Sequence, residues 1–177
     1  MIDAAGYGKA LFELAAEEGT DERIFEELAL LRKVLGENPS YVTLLDTPAV
    51  NTEEKLSLIR KAFGNVDPIL LNFLSILCEK RSVYRLPACA DAYNKLHDEA
   101  RNILRATAIT AVAMTAEQRT ALKEKLAMLT GKTVILDNQT DAGLIGGITL
   151  RYGGVQLDDS IRSRLDKLQR SLSQTIV

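Results

Sequence analysis

The sequence predicts a mainly α-helical protein, with an N-terminal six-helix bundle over residues 1–104 and a small α/β C-terminal domain over residues 105–177. Three observations carry this reading. Composition is the first: 46% of residues are apolar and 26% charged, aromatics make up 5%, and Trp is absent while Ala and Leu abound. That bias favours helices in a globular chain long enough to bury a core. The second is a succession of apolar stripes at helical spacing, punctuated by Gly and Pro, through the first hundred residues. The third is a switch at Arg105 to β-branched and small residues, which suit strands.

The elements follow in order. From Ala4 to Glu18, Tyr7, Leu11, Leu14 and Ala15 form one apolar side, with Glu13, Glu17 and Glu18 opposite. Gly19 ends this helix and Thr20 is placed to cap the next. Asp21 and Glu22 then fall in a first turn, where the helix dipole favours acids. Ile24, Phe25, Leu28, Leu31 and Leu35 make the second buried stripe, with Gly36 as its stop. Pro39 opens a short third helix to about Leu45. Asn51 and Glu54 give a start resembling a capping box for a fourth, which runs through Phe63 to Gly64. Asp67 and Pro68 begin a fifth. That helix is apolar nearly all round, from Ile69 to Cys78, so it is either central or keeps one side for a partner. A sixth is expected from Pro87 to Leu104, with Tyr93, Leu96, Ala100, Ile103 and Leu104 inward.

Beyond Arg105, residues 106–112 read as a strand. Thr115 and Gln118 box the start of a helix to Thr130 with Leu122, Leu126 and Leu129 buried, and Gly131 closes it. A strand at Thr133–Asp137, a loop at Asn138–Gly146 and a strand at Gly147–Arg151 come next. Tyr152-Gly153-Gly154 turns into Val155–Leu157. Asp158 is placed to cap a last helix carrying Ile161, Leu165, Leu168 and Leu172 on one face.

Charge divides along the same boundary. Residues 1–104 hold 12 Lys and Arg against 17 Asp and Glu, a net of −5, and the remainder is +3. Two surfaces with different partners would explain this, as would ordinary surface variation. The near-neutral total gives no sign of a nucleic-acid binder. Cys78 and Cys89 lack zinc spacing and read as small buried apolar residues. The first residues have no basic segment or long apolar core of a secretion signal, and no run approaches a membrane span.

Chemistry-bearing motifs are weak. Gly131-Lys132-Thr133 imitates the end of a phosphate loop, but Leu126 stands where its first glycine belongs, and the segment runs from helix to strand. Gly143, Gly146 and Gly147 miss dinucleotide spacing and serve a turn. His97, the only histidine, is expected to face solvent on the sixth helix, with no partner for catalysis or metal binding. Asp158-Asp159-Ser160 suits a helix cap better than a cation site. Arg162, Arg164, Lys167 and Arg170 make the last helix basic, either as a solvated face or as a dock for an acidic partner. No catalytic residue, metal or cofactor is expected.

The first and fifth helices support a sharper idea. A groove between two helices can accept a partner's amphipathic helix at i, i+3, i+4 and i+7 anchors. Tyr7, Ala10, Leu11 and Leu14 offer one wall, with small Gly6, Gly8 and Ala10 permitting close approach. Phe73, Ile76 and Leu77 offer the other. The alternative is that these residues simply pack the chain's own core.

Several segments resemble the delta subunit family of F-type ATP synthases, whose mitochondrial counterpart is the oligomycin-sensitivity-conferring protein. Tyr7-Gly8-Lys9-Ala10-Leu11-Phe12 is similar to the family's opening segment, with Gly8 in place of the usual Ala. Asn72-Phe73-Leu74 and Leu86-Pro87 fit its fifth helix and the start of its sixth. Asp141, Gly146, Gly147, Arg151, Asp158, Ser160, Arg162 and Leu165 match its terminal signature in order. The resemblance implies a non-catalytic stator component that keeps the catalytic head from turning with the rotor during ion-driven ATP synthesis. It implies that the N-terminal helices bind the N-terminal helix of an alpha subunit between the first and fifth helices. The C-terminal domain, with Arg151, Arg162 and Arg164, would hold the b subunits of the peripheral stalk. The implied location is peripheral, at the cytoplasmic face of a bacterial inner membrane, reached only through partners. The competing reading is a helical adaptor or regulatory module of another assembly.

Overall fold

A computed structural model describes residues 3–144, 146–153 and 155–158. The chain is mainly helical with a small four-stranded sheet towards its C-terminus. It divides between His97 and Asp98 into two compact units, each with its own apolar core.

The first unit is built from α1 (Ala4–Glu17), α2 (Asp21–Glu37), α3 (Pro39–Asp46), α4 (Thr52–Phe63), α5 (Pro68–Glu79) and most of α6 (Leu86–Ala100), which a 3-10 turn at Val83–Arg85 introduces. Local chemistry sets most of the boundaries. Asp3 caps α1 by accepting from the Ala5 amide at 3.1 Å. Gly19, at φ +67, ends it, with the Thr20 amide donating to Ala15 and the Gly19 amide to Ala16, the paired bonds of a left-handed glycine stop. Asp67 caps α5 by accepting from the Ile69 amide at 3.0 Å, while its own amide donates to the Glu27 carboxylate at 2.6 Å. The start of α5 is thereby tied to α2.

Several expectations are corrected. The Thr20 hydroxyl makes no cap bond, so the acids Asp21 and Glu22 are what the first turn of α2 offers its dipole. That helix passes through Gly36 and stops at Asn38, whose side-chain amide reaches back to the Val34 carbonyl at 2.8 Å. Asn51 accepts from the Glu53 amide, a simple cap rather than a reciprocal box with Glu54. The sixth helix ends at Ala100. Asn102 takes a positive φ of 53, and Ile103 and Leu104 join a strand, paired with Thr133 and Val134. Two branched residues beside a waiting ladder favour extension over another helical turn.

The core of this unit gathers residues from Leu11 to Tyr93, among them Ile24, Leu28, Leu31, Leu45 and Ile59. Full burial of each such side chain contributes roughly 1.5–3 kcal/mol. Cys78 and Cys89 are buried free thiols, and burial pushes both thiols upward in pKa. His97 is the sharpest departure: it is 2% exposed, stacked on Phe25 at 4.4 Å between ring centres. Its Nε2 lies 3.4 Å from the Glu22 carboxylate. Aromatic stacking and nearby acids let α6 keep an imidazole inside, which helical periodicity alone did not reveal.

In the second unit, β1 (Ile103–Thr110), α7 (Ala116–Thr130), β2 (Thr133–Thr140), β3 (Ile148–Tyr152) and β4 (Val155–Asp158) form a sheet ordered β2-β1-β3-β4. The β1–β2 pair is parallel, as a helical crossover requires. The β1–β3 and β3–β4 pairs are antiparallel. Ala106, Ala108, Leu126, Val134 and Leu150 form the core under α7. Thr115 and Gln118 exchange both capping-box bonds, at 3.0 and 3.2 Å. Gly131, at φ +67, closes the helix. Leu129, expected inside, is 75% exposed. Strand β2 runs three residues past Asp137, because Asn138 is woven into the sheet: its amide nitrogen donates to the Ala108 carbonyl and the Thr110 hydroxyl, and its oxygen accepts from the Met114 amide. The expected basic terminal helix, with Ser160, Arg162, Arg164, Lys167 and Arg170, lies outside the described residues.

Candidate functional site

Helices α1 and α5 pack side by side, and between them lies an apolar groove of about 180 Å³. One wall is Tyr7, Ala10, Leu11 and Leu14; the other is Ile69, Asn72, Phe73 and Ile76. Both walls carry the same i, i+3, i+4, i+7 spacing, which is the stripe a third helix can meet.

The walls differ in depth. Leu11 and Phe73 are buried, Tyr7 and Ile76 are half-buried, and Leu14 is 43% exposed at the rim. The Tyr7 and Phe73 rings sit 6.5 Å apart and tilted, bridging the two helices at the groove floor. Leu77 does not line the groove: it is 0% exposed within the core, one step round the helix from the Ile76 side. Gly6 and Gly8 serve other neighbours. A Cβ on Gly8 would stand 2.4 Å from the Cys89 carbonyl oxygen, so this glycine permits the approach of α1 to α6. A Cβ on Gly6 would meet the capping carboxylate of Asp3 at 2.8 Å.

Ile69 and Asn72 were not among the expected wall residues. Counting back by four and seven from Phe73 and Ile76 on a helix whose start was already clear reaches Ile69, and by four from Ile76 reaches Asn72.

In the second unit, Arg151 on β3 is exposed and its Nε donates to the Gln156 side chain at 3.0 Å. With Arg105, Tyr152, Gly153 and Val155 these residues border a concavity of about 340 Å³. Arg105 is held by Asp98, 2.7 Å from its Nε. Asp141 folds its own loop, accepting from the Gly143 amide at 2.8 Å, and its amide donates to the Thr110 carbonyl. Gly147 adopts φ +86, which only glycine enters freely. The Asp158 carboxylate accepts from the Thr149 hydroxyl at 3.2 Å. Among the described residues, no group of three or more His, Cys, Asp or Glu side chains could hold a metal ion.

The described surface features are thus an apolar groove on the helical unit and an arginine-bordered concavity on the α/β unit. The family model of the ATP synthase delta (OSCP) subunit matches residues 4–172. The chain belongs to that family. Relatives agree with it along nearly their whole length. ATP synthase subunit delta of a Geobacillus species is 36% identical over 172 residues, covering 97% of each chain. That of Synechococcus elongatus is 34% identical, covering 94% of each. Alkaliphilus oremlandii supplies another at 36%, over 97% of this chain and 96% of its own. Among solved structures, a chain of the Toxoplasma gondii mitochondrial ATP synthase hexamer superposes with a TM-score of 0.77, covering 97% of this chain and 98% of that one. At 23% identity it shows that the fold is shared. No helix among the described residues is long and apolar enough to cross a membrane.

Proposed function

We propose that this delta-family chain is the non-catalytic stator connector of an F-type ATP synthase, joining the alpha-beta catalytic head to the peripheral stalk. The helical unit acts as a six-helix bundle that grips the N-terminal helix of an alpha subunit. The α/β unit holds the b subunits, through a surface that includes Arg151, Arg162 and Arg164. The chain touches the membrane only through these partners, on the cytoplasmic side of a bacterial inner membrane.

The observation that supports this best is the groove with two matched helical stripes. A connector under torque needs contacts that resist shearing. Apolar anchors in a desolvated groove lose little to salt, whereas exposed ion pairs contribute about 0–1 kcal/mol and are screened. The mechanism is then mechanical: the two grips hold the head still while the rotor turns inside it, and ion flow becomes ATP synthesis.

Titration calorimetry with a synthetic alpha N-terminal helix tests the head-binding grip. Leu14 is the residue to charge, since it is exposed at the rim. Phe73, 7% exposed, would endanger the fold if made acidic. Leu14→Asp should weaken the peptide by at least tenfold, about 1.4 kcal/mol, with the helical circular dichroism unchanged. Equal affinity in the folded variant would rule out the groove.

A further inference from the structure

The α1–α5 groove is apolar except at two places. One is the phenol of Tyr7; the other is Asn72, which occupies a wall position on α5 between Ile69 and Ile76. Among the described residues neither side chain has a hydrogen bond to the rest of the chain, although Ser75, on the same helix, binds its hydroxyl back to the Leu71 carbonyl. The Tyr7 ring is fixed against Phe73. Asn72 is exposed in the free chain, where water satisfies its amide. A docked helix would displace that water, and an amide left without a partner in a closed apolar groove is costly.

We propose that Asn72 is a specificity-determining residue of this groove, pairing with one hydrogen-bonding side chain in the apolar stripe of the docked helix and so fixing its register. The inference rests on the groove being the helix-binding site. Two identical i, i+3, i+4, i+7 walls would by themselves accept an apolar helix in several registers, each displaced by a turn and burying similar area. One polar position among the anchors breaks that degeneracy: only the register that brings a donor or acceptor opposite Asn72 avoids stranding its amide. A single polar residue at the core seam of a coiled coil works in this way, trading some affinity for one alignment. The occupant is accordingly an amphipathic helix whose apolar stripe is interrupted by one Asn, Gln, Ser, Thr or charged side chain. A uniformly apolar stripe would fit less well.

The test is a mutant cycle by calorimetry or fluorescence anisotropy. The probes are the synthetic alpha N-terminal helix and a set of variants, each with one polar side chain of its apolar face changed to Leu. Wild-type protein should lose about tenfold in affinity for one of these variants. The Asn72→Leu protein should bind that same variant at least as well as the parent peptide, so the loss disappears in the cycle. Asn72→Gln, which keeps the amide, should restore part of the preference. Asn72 is exposed, so melting curves of both variants should match the wild type. A preference that persists in Asn72→Leu, or wild-type protein indifferent to every Leu substitution, overturns the inference while leaving the groove intact. No binding of any peptide by wild-type protein removes the groove reading, and this inference with it.

Discussion

At the scale of single residues, burial governs the two cysteines. Both thiols sit in the helical core with their pKa values raised by desolvation. A raised value means that ionisation is disfavoured only in the folded chain. Their contribution to stability is therefore complete below the ordinary thiol value and is lost as pH climbs through the raised folded values. Urea midpoints measured against pH should fall above pH 9, the unshifted value, and Cys78→Ala with Cys89→Ala should flatten that decline. Tyr93 leaves a residual slope, since its burial pushes the phenol upward as well. Alkylation offers a second readout: neither thiol should react in the native protein at neutral pH, and both should react in denaturant.

These cysteines were legible from sequence because their neighbours were apolar at helical spacing. His97 was not legible, because a polar residue is buried or exposed according to what stacks on it, and Phe25, on α2, is 72 residues away in the chain (97 − 25). Leu129 failed in the opposite direction: its spacing from Leu126 was right, yet on the last turn of α7 it stands exposed.

Among elements, punctuation was the most readable signal. Gly19, Asp67 with Pro68, and the Thr115–Gln118 box each act within a few residues, so the physics that ends or starts the helix is contained in the local sequence. Thr115→Ala should cost about 1 kcal/mol, the usual value of an N-cap, visible as a lower melting temperature of the α/β unit with the helical unit unaffected. The boundary at Ala100 was less readable, because Ile103 and Leu104 extend α6 by periodicity and join β1 only because β2 pairs with them. Gly8 marks where one element presses on another. Alanine elsewhere in an exposed helix would stabilise by up to about 1 kcal/mol. Here its methyl would meet the Cys89 carbonyl and the Ala92 side chain. Gly8→Ala is expected to destabilise by roughly 1–3 kcal/mol, as overpacking does, in a denaturation series. The groove lies on another side of α1, so peptide affinity should hold in the fraction that remains folded.

At the scale of the whole molecule, the two cores are separate along the chain. The buried residues of the helical core lie between Leu11 and Tyr93, and those of the other core lie between Ala106 and Leu150. A fragment ending at residue 104 should consequently fold alone with a cooperative melt and show the same affinity for the synthetic alpha N-terminal helix as the full chain. A fragment that stayed unfolded would show that the division between His97 and Asp98 is not a boundary of stability. The charge asymmetry and the switch in residue type put a division between residues 104 and 105 in the sequence, seven residues past that one. The proposed stalk-binding residues were legible only as a motif: Arg151 is exposed on β3, and Arg162 and Arg164 are beyond the described residues.

Strand β1 sits at the centre of the sheet, and that position has a consequence for manufacture. Its partners are Thr133–Thr140 on one side and Ile148–Tyr152 on the other. It therefore cannot complete its ladder until the ribosome has delivered both. The helical core needs nothing beyond His97 and can close before the later strands are delivered. During synthesis the α1–α5 groove is thus finished before the sheet exists.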